Sequence, residues 1–321
     1  MHDDSYGYYD SDGNPTTKEN DQLDYNEYYN NQLTEILSSE KYGNNGHFVE
    51  VWMDGAKGSG QDAQDYDFMT WFNTIQKYEG EAAGYSDCML FGAEAYTTVR
   101  WIGNENGYAA KNTWSKSTVN YENNTIDSNS SGGYTVGFEN GNQWTVPEAD
   151  ARITSGWFWG TSKNTPKSIA DLGSMYFGSV GNNATLLLNI PPNNEGTVDR
   201  AILDRVAEFG ANIKETFNDN LAASEGTTVY ADNVRGNDTA YKPGNTTDGD
   251  DSTYWTTSDG TNTGTLLIDL GGVKTFDVVS VEEAIQNGQR INSYTIEYRN
   301  SAGQWMTMDL SLIHISEPTR P

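Results

Sequence analysis

Val49-Glu50-Val51-Trp52-Met53-Asp54-Gly55-Ala56 is an apolar, aromatic run that stops at one acid and turns at once. A strand that ends in a carboxylate and then bends sharply is how a parallel α/β barrel presents a catalytic acid at its C-terminal rim. The same residues also suit an aspartate that closes a turn or N-caps the next helix. The stretch alone does not choose between the two, so the rest of the chain decides.

Ahead of it, Tyr25, Tyr28, Tyr29, Leu33, Ile36 and Leu37 fall on one helical face. Behind it, Phe68, Trp71, Phe72 and Ile75 mark a second amphipathic helix. Cys88–Phe91 and Thr97–Ile102 read as short buried strands, and residues 108–142 as a long polar excursion without periodicity. Regular structure is expected again at Gly156–Gly160, followed by a helix opened by Thr165-Pro166 and striped by Ile169, Leu172, Met175, Tyr176 and Val180. Thr185–Ile190 is an apolar strand closed by Pro191-Pro192, and Thr197 is the expected cap of a long helix carrying Val198, Ile202, Val206, Phe209 and Ile213. Short buried strands alternating with amphipathic helices predict a parallel sheet with helical crossovers.

After Phe217 the pattern changes. A polar linker leads into a stretch without helical periodicity, with short alternating strands at Thr265–Leu270, Val278–Val281, Ser293–Tyr298 and Gln304–Met308. That pattern suits an antiparallel sandwich and sets a domain boundary near residue 222.

Composition narrows the functional classes. Nineteen basic against 46 acidic residues leave a net charge of −27, which opposes phosphate backbones and anionic lipid and argues against nucleic-acid or membrane partners. Cys88 is the single cysteine, excluding an intrachain disulfide and a Cys-based zinc site, and its apolar neighbours suggest a buried thiol. His2, His47 and His314 are far apart in sequence. No apolar run approaches the length of a membrane span.

Two carboxylates remain, each following a strand and sitting beside glycine: Asp54, and Glu105 in Trp101-Ile102-Gly103-Asn104-Glu105-Asn106-Gly107. Paired carboxylates at a barrel rim, ringed by aromatics and without metal-binding histidines, are the equipment of a glycosidase. Glu94 is the rival acid, but Ala93 and Ala95 around it suggest a wall position. Gly55–Gly60 resembles a phosphate loop only superficially, because it lacks the Gly-Lys-Ser/Thr ending.

Glu50–Ala56 resembles the Glu-Val-Trp-Phe-Asp-Gly-Ala strand of glycoside hydrolase family 29 α-L-fucosidases, with Met53 in place of the usual Phe. Val99–Gly107 is similar to that family's Arg-Trp-Val-Gly-Asn-Glu-x-Gly segment in the branch that cleaves α-1,3/1,4-linked fucose, and Gly156–Trp159 and Ser179–Pro192 to its closing barrel motifs. The resemblance spans about residues 3–217. It implies an incomplete (β/α)8 TIM-like barrel, with Asp54 as nucleophile, Glu105 as acid/base, no catalytic cofactor, and Trp101 and Trp157 as walls for the apolar face of fucose. It also implies fucosylated glycans as substrates, and a place outside a bacterial cell or on its surface. Sugar-binding histidines of the family have no counterpart here, so Met1 is expected to be internal to a longer product and the isolated chain to be inactive.

Thr247–Trp255 and Leu267–Gly271 resemble a coagulation factor 5/8 type C module, the discoidin-like, galactose-binding fold of carbohydrate-binding family 32. This implies a truncated all-β sandwich and a structural Ca²⁺ held by Asp248, Asp250 and Thr253. Leu310–Arg320 resembles the translation of a transposase sequencing adapter and is expected to be an artefact. The expected organisation is therefore a partial catalytic barrel over 1–221, a partial sandwich over 222–309 and a tail over 310–321. A non-catalytic carbohydrate-binding protein, with the barrel as scaffold, is the rival reading.

Overall fold

The computed structural model describes residues 8, 10–12, 14–17, 20, 25–43, 46–54, 66–84, 88–92, 94–127, 133–160 and 162–308. The tail over 310–321 and the glycines of the apparent phosphate loop lie outside these residues. Two compact units divide the chain: residues 1–100, 116–133 and 140–146 form the first, and 101–115, 134–139 and 147–321 the second.

In the first unit, helix α1 (Tyr25–Leu37) packs against α2 (Phe68–Glu79), as the apolar spacing predicts. Tyr25, Leu33, Leu37, Phe68, Trp71, Phe72, Ile75 and Leu90 form one buried cluster. Aromatic edges supply much of the fit: the Tyr29 and Trp71 rings meet at 4.6 Å and 66°, the edge-on geometry their quadrupoles favour. Asp67 caps α2 by accepting from the Thr70 amide (3.1 Å) and hydroxyl (2.6 Å), and those bonds hold its carboxyl below the usual pKa. At the other end Glu79 is buried and accepts from the Phe48 amide (3.3 Å), with His47 Nδ1 at 3.6 Å. The chain entering strand β1 (Glu50–Trp52) is thus fixed to α2.

β1 pairs in parallel with β2 (Met89–Phe91), and Phe91 pairs in parallel with Val99 of β3 (Val99–Trp101). Trp52 and Phe91 are register partners and their rings stack at 4.0 Å and 13°. The polar excursion holds short antiparallel pairs: β4 (Lys116–Ser117) with β7 (Gln143–Trp144), and β5 (Val119–Asn120) with β6 (Thr125–Ile126). One helical turn, α3 (Gly133–Val136), belongs to the same excursion.

Strand β8 (Val146–Arg152) is the element the sequence pattern hides: six of its seven residues, Pro147, Glu148 and Asp150 among them, are buried. Such a strand, covered on both faces, does not alternate. Its hydrogen bonds with the β3 segment run from Val146 N to Thr98 O and then from Ile102 N to Glu148 O, advancing together in the parallel sense. β9 (Thr185–Asn189) continues the sheet in parallel with β8, giving the order β1-β2-β3-β8-β9. This curled, wholly parallel sheet is the incomplete barrel expected.

Helices α4 (Ile169–Ser179) and α5 (Arg200–Thr216) cover it in the second unit, with Ala151, Ile153, Leu172, Met175 and Ile202 as their shared core. Three local expectations fail here. Residues 156–158 are bends and 159–160 are irregular, not regular structure. The α4 helix starts at Ile169 behind a Ser168–Asp171 capping box, because a reciprocal pair of cap bonds outweighs a proline at 166. Thr197 instead gives its amide and hydroxyl to Asn193 (3.1 and 3.2 Å), and the α5 cap position falls to Asp199.

Beyond residue 226, β10 (Thr228–Ala231) pairs antiparallel with β11 (Leu266–Asp269), and β12 (Glu297–Arg299) with β13 (Trp305–Thr307). Residues 278–281 form no strand, and Val278, Val279 and Val281 are only half-buried there. These small antiparallel sheets are the all-β second domain.

Candidate active site

β3 delivers Glu105. Ile102, just past its end, is fully buried, and the chain then turns out at Gly103. Asn104 builds the loop: its Oδ1 accepts from the Asn106 amide (3.0 Å) and its Nδ2 donates to the Tyr108 carbonyl (3.2 Å). Gly107 then anchors the loop to β8, its amide donating to the Asp150 carbonyl at 3.1 Å. Only glycine suits that position, since φ is +76° and a Cβ would stand 3.0 Å from Ala151 Cβ and 3.2 Å from Met175 Cγ. Glu105 is left exposed at the loop's tip.

One Glu105 oxygen is engaged: Trp157 Nε1 donates to Oε2 at 2.9 Å. Trp157 is itself held, its carbonyl accepting from Asn189 Nδ2 at 2.8 Å and its ring lying 5.4 Å from the Arg152 guanidinium carbon. Asn189 ends β9 and Arg152 ends β8, so two neighbouring strand termini position the indole. Beside this group lies a cavity of about 460 Å³ lined by Arg152, Trp157, Phe158, Trp159 and Lys163, among others. Lys167 closes the end of β8 by donating to the carbonyls of Arg152 and Thr154. Burial, then the Arg152 charge, pulls its pKa below the usual lysine value.

Trp101 is half-buried and its Nε1 donates to Asp150 Oδ1 at 2.7 Å. The structure therefore joins Trp157 to Glu105 and Trp101 to Asp150. Asp54 belongs to the first unit. It follows β1 by two residues and is exposed, and Met53 before it donates to the Phe91 carbonyl at 3.0 Å, carrying the β1–β2 ladder one bond further. Each carboxylate thus emerges from the C-terminal end of a parallel strand, in its own unit. Glu94, the rival acid, is half-buried and opens a short 3-10 helix, Glu94–Tyr96, with φ +51°. No local pattern in the sequence singles out Asp150, Arg152 or Asn189. Only the Asn-Ile-Pro-Pro stop after β9 hinted at a strand end for the last of them.

In the far part of the second unit, Thr253 Oγ1 donates to Asp248 Oδ2 (2.8 Å) and also lies 3.1 Å from the Asp250 carbonyl. Asp250 Oδ1 accepts from the Ser252 hydroxyl (2.6 Å) and amide (3.0 Å), which holds its carboxyl below the usual range. Among the described residues no group of three or more His, Cys, Asp or Glu side chains converges as a metal site. The donors here are instead two carboxylates, a carbonyl and a hydroxyl. An all-oxygen set of this kind fits a hard cation and no softer one.

Residues 1–216 match the alpha-L-fucosidase family, and residues 226–314 match the F5/8 type C domain. Alpha-L-fucosidase 1 of Arabidopsis thaliana is 34% identical over 285 residues, covering 88% of this chain and 53% of that protein. Among solved structures, a Ruminococcus gnavus GH29 fucosidase in complex with fucose is 68% identical with a TM-score of 0.84, over 96% of this chain and 62% of that one. The chain spans about half the length of the curated relatives it matches.

Proposed function

The chain belongs to the alpha-L-fucosidase family, and from that premise we propose that it forms part of a retaining α-L-fucosidase that removes terminal α-1,3/1,4-linked fucose from glycans outside a bacterial cell. The Asp54 carboxylate attacks the anomeric carbon as the bond from that carbon to the glycan oxygen breaks. Glu105 delivers its proton to the departing oxygen. A water then attacks the glycosyl-enzyme, Glu105 takes the water's proton, and fucose leaves with Asp54 restored. Retention by this route asks for carboxyl groups roughly 5–5.5 Å apart.

The observation that carries the reading is the Glu105 loop. An exposed carboxyl with one oxygen pinned by Trp157, and no hydrogen bond to the other among the described residues, supports a role that alternates between acid and base. Trp101 and Trp157, whose indole N–H groups are committed to carboxylates, serve the sugar by their ring faces.

The chain alone covers about half of its curated relatives, and the proposal includes that it does not turn over an aryl fucoside by itself. Activity is expected in a chimera that joins to it the part of the Ruminococcus gnavus protein it does not span. Proton NMR of the first-formed fucose should then show the α anomer. Release of the β anomer first would overturn retention, and an active isolated chain would overturn the dependence on the longer protein.

The Asp248, Asp250 and Thr253 oxygens are proposed to hold a structural Ca²⁺. Extracellular calcium modules bind at about 10⁻⁴–10⁻³ M, so about 10 mM Ca²⁺ should raise the melting temperature of the chain. Asp248→Ala should cancel that rise, and equal melting of the parent chain with and without Ca²⁺ would contradict the site.

A further inference from the structure

The segment that leaves Glu105 is held by a residue far along the chain. Ser115 is 1% exposed and Thr113 is 4% exposed, so their backbone groups need partners inside the protein. The Ser115 amide donates to Gln289 Oε1 at 2.6 Å, and Gln289 Nε2 donates to the Thr113 carbonyl at 3.1 Å. One primary amide thus pairs with a backbone N–H and a backbone C=O two residues apart, much as a neighbouring strand would. Asn183 completes the grip, its Nδ2 donating to the Thr113 carbonyl (2.7 Å) and lying 3.1 Å from Ser115 Oγ.

Gln289 is presented by a purpose-built turn. Glu283 Oε1 accepts from the amides of Arg290 (2.6 Å) and Ile291 (2.7 Å), folding the chain back on itself. Ile285 is buried at its centre, and Gly288 takes φ +83°. The preceding pins on the same segment are Gly107 N to Asp150 O and Ala109 N to Gly178 O (2.8 Å). Residues 105–115 are therefore fastened at the near end to β8 and α4, and at the far end to a residue of the F5/8 type C stretch.

We propose that Gln289 is a positioning residue: it binds the segment following Glu105 to the 226–314 module, making that module a structural part of the catalytic body, not a tethered appendage. The consequence for catalysis rests on the role proposed for Glu105, whereas the clamp itself is tested without any turnover. Hydrogen exchange read at single amides of the 321-residue chain provides that test. Gln289→Met keeps the side chain's length but no donor or acceptor. It should speed exchange of the Ser115 amide about tenfold, the size expected when a buried N–H loses its acceptor. Gln289→Glu keeps the acceptor and should hold Ser115 within about threefold of the parent. Amides in α4 should be unchanged in both variants. Unchanged Ser115 exchange in Gln289→Met, equal exchange in the two variants, or acceleration spread evenly through α4 would each overturn the proposal. In the active chimera, a kcat equal to the parent's in Gln289→Met alongside faster Ser115 exchange would keep the clamp but remove its catalytic consequence.

Discussion

Replacing Asp54 by alanine in the active chimera is expected to cut fucose release from an aryl fucoside by on the order of 10⁴-fold or more, as removal of a covalent nucleophile does elsewhere. The effect should fall on kcat, because the attacking atom is lost while sugar-binding contacts remain. The vacated space also predicts a rescue. Azide entering from the Asp54 side attacks the anomeric carbon directly, displacing the activated leaving group with Glu105 unaltered, and one inversion yields the β-fucosyl azide. Wild-type rates in the variant would remove Asp54 from the mechanism, and an α-azide product would assign it the other carboxylate's part.

Glu105→Gln is the second large effect, and it differs in kind. Glutamine keeps the length and an oxygen for the Trp157 N–H but has no proton to give. Loss of general acid/base assistance costs about 10²–10⁴-fold. The loss should be greatest for oligosaccharides, whose leaving alkoxide needs that proton, and smaller in the first step for an aryl fucoside whose phenolate departs unaided. The glycosyl-enzyme then accumulates, since water lacks its base. In Glu105→Ala, azide intercepts that intermediate and returns an α-fucosyl azide, opposite in configuration to the Asp54→Ala product. Equal losses on good and poor leaving groups would contradict the assignment.

Much of the scaffold was legible because its helices and first strands carry unmixed signals. α1 and α2 bury one face each, and the Tyr, Trp and Phe spacing that predicts them is the cluster the structure shows. β1 to β3 are short apolar runs bounded by turns. β8 was not legible, since Pro147, Glu148, Asp150 and Arg152 make it read as a loop although six of its residues are buried. A barrel interior accepts such polar residues when neighbouring strands and loops supply partners, and no local pattern records partners that lie far along the chain. Trp157 illustrates the same limit. Its aromatic run stands out in the sequence, but the hydrogen bond to Glu105 crosses 52 positions and leaves no local trace. Gln289 is more extreme, meeting Ser115 across 174 positions. Of the two carboxylates, Glu105 was marked by its flanking Gly103 and Gly107, both with positive φ in the structure. Asp54 was marked mainly by family resemblance.

The central claim is a covalent bond between Asp54 and the sugar, and trapping it is the most direct measurement. A 2-deoxy-2-fluoro-fucosyl fluoride slows departure of the sugar from the enzyme after its fluoride has left, so the glycosyl-enzyme survives digestion. Mass spectrometry of the inactivated chimera should find the fluorofucosyl increment on the peptide containing Asp54, and fragmentation should place it on that residue. An increment on Glu105, on Glu94 or on any other residue would contradict the account.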